Sequence, residues 1–479
     1  MSESTSGAAR GATQTPAFTY CFKVFGCQMN VADANDLELT LRLRGGSPVE
    51  TEADADLVLV NTCVVRQKAE DKAYSYIGML KAVKDARPGA FLTVMGCLVP
   101  KSREHLAGRF PFVDLLVDYS APDTVVEALD NSFPPMRDSG GAGAAIRDAL
   151  TADPRVLSGE AKVDEFMGAP EIGSATAISE LKKSGLVTII RGCNYRCTYC
   201  IVPKVRGREI SIPPEVIVAD VRRKHEMGYR MITLLGQNVL TYGDDREGCP
   251  DFAGLVERVL DETEVPWLHF LTSHPRDLSD EFVARIYKHD RMLNSLHLPF
   301  QAGSDRILKR MLRLYTRDYF LSRVDAVRSA RPDIFLSTDV IVGFPGETRE
   351  DFEETLSMMR RVRFNDAYMF KFSPREGTPA TRLPDEVPEA EKKARLAELI
   401  ALQHEIGREE NRKYVGRKYR GLVEDVGAGG GSRKPTAIVR LPINKPAVVA
   451  DAPDDLAVGD WVDVEVTNVR NSTFDAEFV

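Results

Sequence analysis

"RGCNYRCTYC", residues 191–200, closes a strand candidate, "GLVTIIRGC" (185–193), and places Cys193, Cys197 and Cys200 within eight positions. Five more strand candidates follow: "MITLLG" (231–236), "WLHFLT" (267–272), "SLHLP" (295–299), "FLSTDVIVG" (335–343) and "AYMFKF" (367–372). Helical stretches separate them, among them 214–228, 279–289, 304–313 and 348–363. Six consecutive βα units without a break in strand order predict a barrel or partial barrel. Functional residues of such a barrel sit at the strand carboxyl ends, where "RGC", "LGQN", "LTSHP", "LPFQ" and "VGFPGET" all fall. Thr348 and Asp351 in and after the last of these have the spacing of a helix capping box.

Three thiols in this pattern limit the chemistry. Structural zinc takes four ligands, usually in two pairs, and the nearest histidine, His225, lies well beyond the loop. A redox dithiol needs no third cysteine. Three thiolates with a fourth position open suit a 4Fe–4S cluster. The spacing favours the cluster and leaves zinc as the alternative.

Upstream, strand and helix patterns alternate. "TYCFKVFGC" (19–27), "DADLVLVNTC" (54–63), "AFLTVMGC" (90–97) and "VDLLVDY" (113–119) are strand candidates, and "VADANDLELTLRLR" (31–44) has helical periodicity. This predicts a doubly wound parallel sheet. Cys27, Cys63 and Cys97 each end a strand candidate. Ligands of open α/β sheets bind at the strand carboxyl ends, so these three thiols are expected to converge on one rim. The competing reading is three unrelated core cysteines. Cys21 and Cys249 are read as ordinary thiols without a role.

A chain of 479 residues exceeds one ordinary domain, and three or so units are expected. Residues 1–17 are small and polar without an apolar segment, and read as a disordered tail, not a signal peptide. No run of eighteen apolar residues predicts a membrane span. The net charge of −8 argues against a broadly basic nucleic-acid surface, but "RKYVGRKYR" (412–420) is a local basic run. Stretch 131–180 is rich in Pro, Gly, Ser and Ala and reads as a linker or insert. After a long charged helix, "GLVEDVG", "TAIVRL", "AVVAD" and "DWVDVEVTNV" predict a small β-barrel, with Trp461 expected in its core.

"CNYRCTYC" resembles the cysteine signature of the radical S-adenosylmethionine (SAM) enzymes, including the aromatic before the last cysteine. Within that superfamily "GCQMN" (26–30), "NTCVVRQKAE" (61–70), "GCL" (96–98), "TSHP" (272–275), "HLPFQAGSDRILKRM" (297–311) and "DVIVGFPGETREDFEETL" (339–356) resemble the methylthiotransferases. Their branch acting on tRNA N6-dimethylallyladenosine is the most similar. The chain departs from the family at "TAIVRLPINKPAVV" (436–449), where relatives have a more polar strand.

The resemblance implies an enzyme that methylthiolates C2 of N6-dimethylallyladenosine at tRNA position 37, using two SAM molecules and a sulfur donor. Cys193, Cys197 and Cys200 would hold the SAM-binding 4Fe–4S cluster, and Cys27, Cys63 and Cys97 an auxiliary one. Gln237 and Gln301 become candidate SAM contacts, each with loop stabilisation as the plain alternative. His274 is read as a substrate contact or, preferably, a residue starting a helix. Lys413, Arg417, Lys418 and Arg420 are candidate RNA contacts. The implied organisation is an N-terminal domain over 18–130, a (βα)6 partial TIM barrel over 181–410 and a TRAM-like RNA-binding barrel over 411–479. An electron donor such as flavodoxin or ferredoxin, a monomeric state, no membrane association and a cytoplasmic location are further expectations. The rivals are threonylcarbamoyl-adenosine tRNA or a ribosomal protein as substrate, and a zinc-binding RNA adaptor without catalysis.

Overall fold

The computed structural model describes residues 17–65, 67–118, 122–138, 184–427, 435–470 and 473–479. Its first unit is a parallel sheet of β1 (Phe18–Val24), β2 (Gly46–Pro48), β3 (Leu57–Thr62), β4 (Phe91–Gly96) and β5 (Leu115–Val117), in the order β2-β1-β3-β4-β5. Strand alternation sends Val58, Val60, Leu92 and Val94 to one face, against Ala73, Ile77 and Leu106. Leu57 and Leu59 point the other way with Phe18 and Tyr20, onto Leu37, Leu41 and Leu129. Helices therefore cover both faces, as expected of a doubly wound sheet. Three-residue β2 was not anticipated; it is an edge strand ending in Pro48, where a missing N–H costs no ladder bond.

The linker expected over 131–180 begins too early. Residues 131–138 are helical (Pro122–Ser132 and Pro134–Asp138) except Phe133 between the two helices, and Phe133 and Met136 are buried against the sheet. Phe133 packs edge-on to Phe18 at 5.4 Å. Pro134 opens a helix at the position proline tolerates, so its presence did not signal a break. The rest of that stretch, and nearly all of the expected tail, lie outside the described residues.

The central unit contains six parallel strands: β6 (Ser184–Thr188), β9 (Met231–Leu235), β10 (Trp267–Phe270), β11 (Ser295–His297), β12 (Phe335–Val342) and β13 (Asp366–Lys371). They form sheets β10-β9-β6 and β11-β12-β13, joined where Leu268 bridges Met292. Among the described residues no pairing joins β6 to β13, so the barrel is partial. A short antiparallel pair, β7 (Ile190–Arg191) and β8 (Ile210–Ser211), brackets the cysteine loop.

Helix Arg349–Val362 starts with the expected capping box. Asp351 N–H donates to Thr348 Oγ1 at 3.3 Å, and Thr348 N–H to Asp351 Oδ2 at 2.8 Å. Thr348→Ala is expected to cost about 1 kcal/mol, read as a lower urea midpoint at unchanged slope.

Strands β14 (Lys418–Gly427), β15 (Thr436–Arg440), β16 (Pro446–Ala450), β17 (Trp461–Arg470) and β18 (Thr473–Phe478) close into a barrel in the order β14-β15-β16-β18-β17. Val423, Val439, Val449, Val464 and Phe474 fill it. Trp461 does not. It stands edge-on to Trp267 of the central unit at 4.7 Å, with the Arg420 guanidinium over its ring. Tryptophan at a seam between units buries its ring where a small barrel core has no room. Among the described residues no helix is long and apolar enough to cross a membrane.

Candidate active site

Strands β1, β3 and β4 are neighbours, so the loops leaving their carboxyl ends meet. Cys27 follows β1 by three residues, while Cys63 and Cys97 directly follow β3 and β4. The approach is close enough to demand glycine. A Cβ on Gly26 (φ 115°) would stand 2.1 Å from Cys63 Cβ and 2.6 Å from its Sγ. Asn30 ties the rim together, its Nδ2 donating to Thr62 O at 2.8 Å and Phe25 O at 3.0 Å. The close Cys63 thiol, as hydrogen-bond partner, holds Cys27 below the ordinary thiol value, against burial and with help from Arg206. Cys63 is pushed up by that same bond and by burial.

The second trio occupies the loop after β7. Gly192 (φ 81°) makes the turn, and a Cβ there would lie 1.9 Å from Arg208 O. Gly192 N–H donates to Gln237 Oε1 at 2.5 Å, while Asn194 Nδ2 donates to Glu209 Oε2 at 2.9 Å. Tyr195 donates to Asp277 Oδ1 at 2.5 Å and stacks on His274 at 4.1 Å. Thr198 is held by Met311 O and Arg310 O, both at 3.0 Å. Buried Arg313 donates to Cys197 Sγ at 3.5 Å and to Pro299 O at 2.9 Å. It is flanked by Leu312 (φ 56°) and Leu314 (φ 58°), both left-handed and exposed. Each such residue costs on the order of 1–3 kcal/mol, so the backbone is bent to present the guanidinium. Burial pushes Cys193 up to about 12 and Cys200 up to about 11.

One cavity of about 550 Å³ is lined by Cys27, Cys63, Cys97, Cys193 and Cys200, so both trios open into the same space. Its volume suits a small-molecule ligand. Cys197 is buried beside it. Barrel strands supply His269, Ser295, His297, Ser337 and Asp339. His297 lies 3.0 Å from Ser337 Oγ and 3.3 Å from Asp339 Oδ2.

The terminal barrel contributes Ile443, Asn444 and Lys445 to the cavity wall. Lys445 pairs with Asp366 at 2.6 Å, Asn444 Nδ2 lies 3.3 Å from His269 Nε2, and Asn294 N–H donates to Pro442 O at 2.8 Å. Sequence reading missed these residues. The only sign was that "LPINKP" departs from the family pattern, and a turn sequence alone does not say what it lines.

Burial above all, then Arg440 and His297, holds His269 at about 3. An unfolded histidine titrates near pH ~6.5. Below that pH the unfolded chain takes up a proton that folded His269 refuses, and stability falls by about 1.4 kcal/mol per pH unit until the folded value is reached. His269→Asn is expected to flatten this slope between about pH 6.5 and 4.5, measured as urea midpoint against pH.

The remaining candidates separate. Gln237 lines the cavity while bracing the Gly192 turn. Gln301 is buried with φ 69° and bridged to Val340, and it is not among the cavity-lining residues. His274 caps the short helix Pro275–Asp277, accepting from Arg276 N–H at 3.3 Å. Lys413 pairs with Glu410, Arg417 with Asp333 at 3.5 Å and Lys418 with Glu465 at 3.7 Å.

Among the described residues no three His, Cys, Asp or Glu side chains converge closely enough to hold a single metal ion. A four-iron cube is larger than one ion, and its thiolates stand further apart. Three soft donors at each of two glycine-shaped rims fit that group.

Residues 187–359 match the Radical SAM superfamily, and residues 19–118 match uncharacterized protein family UPF0004. Among solved structures, the radical S-adenosylmethionine methyltransferase TsrM from Kitasatospora setae shares the fold at TM-score 0.53 and 14% identity, covering 76% of this chain and 77% of that one. Fold and cysteine loop together define a radical SAM enzyme. The tRNA-2-methylthio-N(6)-dimethylallyladenosine synthase of Acetivibrio thermocellus is 36% identical, over 96% of this chain and 91% of that protein. Those of Geobacter sulfurreducens (37%, over 95% and 96%) and Treponema pallidum (36%, over 96% and 99%) are equally similar along their lengths. The chain belongs to the tRNA-2-methylthio-N(6)-dimethylallyladenosine synthase family.

Proposed function

We propose that this chain methylthiolates C2 of N6-dimethylallyladenosine at position 37 of tRNA. The observation carrying this reading is the single cavity into which both cysteine trios open. Cys193, Cys197 and Cys200 would hold the SAM-binding 4Fe–4S cluster, and Cys27, Cys63 and Cys97 the auxiliary one. The aromatic C2–H is not acidic enough for a protein base, so the SAM-binding cluster supplies radical chemistry and the auxiliary one a sulfur site.

The chain's own residues supply placement. Gln237 fixes the turn before Cys193, and Arg313 and Thr198 anchor the loop around Cys197. His269 stays neutral at working pH, and the Ile443–Lys445 segment adds a wall from the terminal barrel to the cavity. Lys413, Arg417, Lys418 and Arg420 sit at the start of the terminal barrel, where exchange of their carboxylate or ring partners for phosphate would hold RNA. The sheet unit through Asp138, the partial barrel and the terminal barrel act together on the substrate, with a small electron-transfer protein such as flavodoxin or ferredoxin as reductant. The enzyme works as a cytoplasmic monomer. Mass spectrometry of tRNA nucleosides from a deletion strain tests the reading. The 2-methylthio derivative should disappear, and its persistence would remove this assignment.

A further inference from the structure

Arg206 ends the helix Val202–Arg206, which begins two residues after Cys200, yet its guanidinium reaches the other cysteine trio. Nε donates to Cys97 Sγ at 3.3 Å, Nη2 to Asn30 Oδ1 at 3.0 Å, and Nη1 to Asp33 Oδ2 at 3.2 Å. Asn30 Oδ1 in turn lies 3.5 Å from Cys27 Sγ. The Arg206 side chain is 6% exposed and that of Asp33 0%. Asp33 Oδ1 accepts from Arg191 Nη1 at 2.8 Å, two residues before Cys193. One carboxylate of the first unit thus grips arginines on both flanks of the SAM-type loop.

Burying this carboxylate and these guanidinium groups is expensive unless they act on one another and on charge nearby. A fixed cation donating to a ligating sulfur favours the more reduced form of an iron–sulfur cluster, and a dry surrounding strengthens the effect. We propose that Arg206 is a positioning residue that raises the reduction potential of the group held by Cys27, Cys63 and Cys97, that Asp33 restrains this effect, and that the Asp33–Arg191 and Asp33–Arg206 pairs hold the two sites in register. The inference rests on the cluster assignment above.

The test uses the full chain with Cys193, Cys197 and Cys200 replaced by alanine, reconstituted anaerobically with iron and sulfide so that one cluster remains. Its midpoint potential is followed by electron paramagnetic resonance in a redox titration, without SAM or tRNA. Arg206→Met is expected to shift the potential negative, Asp33→Asn to shift it positive, and Arg206→Lys to return it toward the starting value. A merely structural role loosens the site to water in either variant and moves both potentials the same way. Shifts of the same sign, or no shift at full iron content, would overturn the proposal. Should Arg206→Met lose its iron, Arg206→Gln is titrated in its place, and the required negative shift there, opposite to the effect of admitted water, decides. A background protein that takes up no iron would sink the cluster assignment, and this inference with it. Persistence of the 2-methylthio nucleoside in the deletion strain alongside opposite potential shifts would sink only the substrate reading.

Discussion

Alanine at any one of Cys27, Cys63, Cys97, Cys193, Cys197 or Cys200 abolishes methylthiolation of tRNA, and iron falls from about eight to about four per chain. On the proposed assignment the loss is complete because each trio supplies every protein ligand of its cluster, and a thiolate cannot be replaced by a methyl group. Both trios open into one cavity, lined by five of the six cysteines. The measurement is anaerobic iron and sulfide analysis with nucleoside mass spectrometry on the same preparations. Cys21→Ala and Cys249→Ala serve as controls. Cys21 is a buried residue among the apolar side chains of the first sheet, and Cys249 packs on the central core, so both should retain iron and activity. Full activity in any of the six variants, or normal iron in all of them, would refute the assignment.

Gly26→Ala and Gly192→Ala should each remove one cluster and spare the other. At Gly26 the added methyl would fall 2.1 Å from Cys63 Cβ, with φ at 115° besides. At Gly192 it would fall 1.9 Å from the Arg208 carbonyl, with φ at 81°. Neither obstacle is the free end of a flexible side chain, so the rim itself must shift. The left-handed backbone adds its own strain. Half of the iron should be lost in each variant, with absorbance and paramagnetic spectra showing complementary clusters left behind. Gly89→Ala, where the added methyl meets nothing within 4 Å, should be silent in both measurements. Retention of both clusters in Gly26→Ala would refute the claim that the Cys27–Cys63 approach requires glycine at position 26.

The strands and most long helices were legible because their signals are local: apolar alternation, glycine at turns and capping residues. β2, β8 and β18 went unread, the first two for their two or three residues; in the third, Phe474, Ala476 and Phe478 alternate with polar residues, but over six positions at the chain's end. Proline-rich composition misread 131–138 as linker, although Phe133 and Met136 were apolar residues in need of cover. Trp461 was assigned to the wrong core because a half-buried strand does not say which neighbour covers its outer face.

By itself the sequence determined the six cysteines, their division into two trios and the placement of each near a strand end, since spacing and strand periodicity are local properties. Only the tertiary structure decided that the trios face one cavity, that Ile443–Lys445 lines it, and that Arg206 crosses from one trio's loop to the other's sulfur. Those relations depend on pairs such as Asp33 with Arg191 and Arg206, 158 and 173 residues apart. Their energies come from burial and charge brought together by folding, which no window of sequence contains.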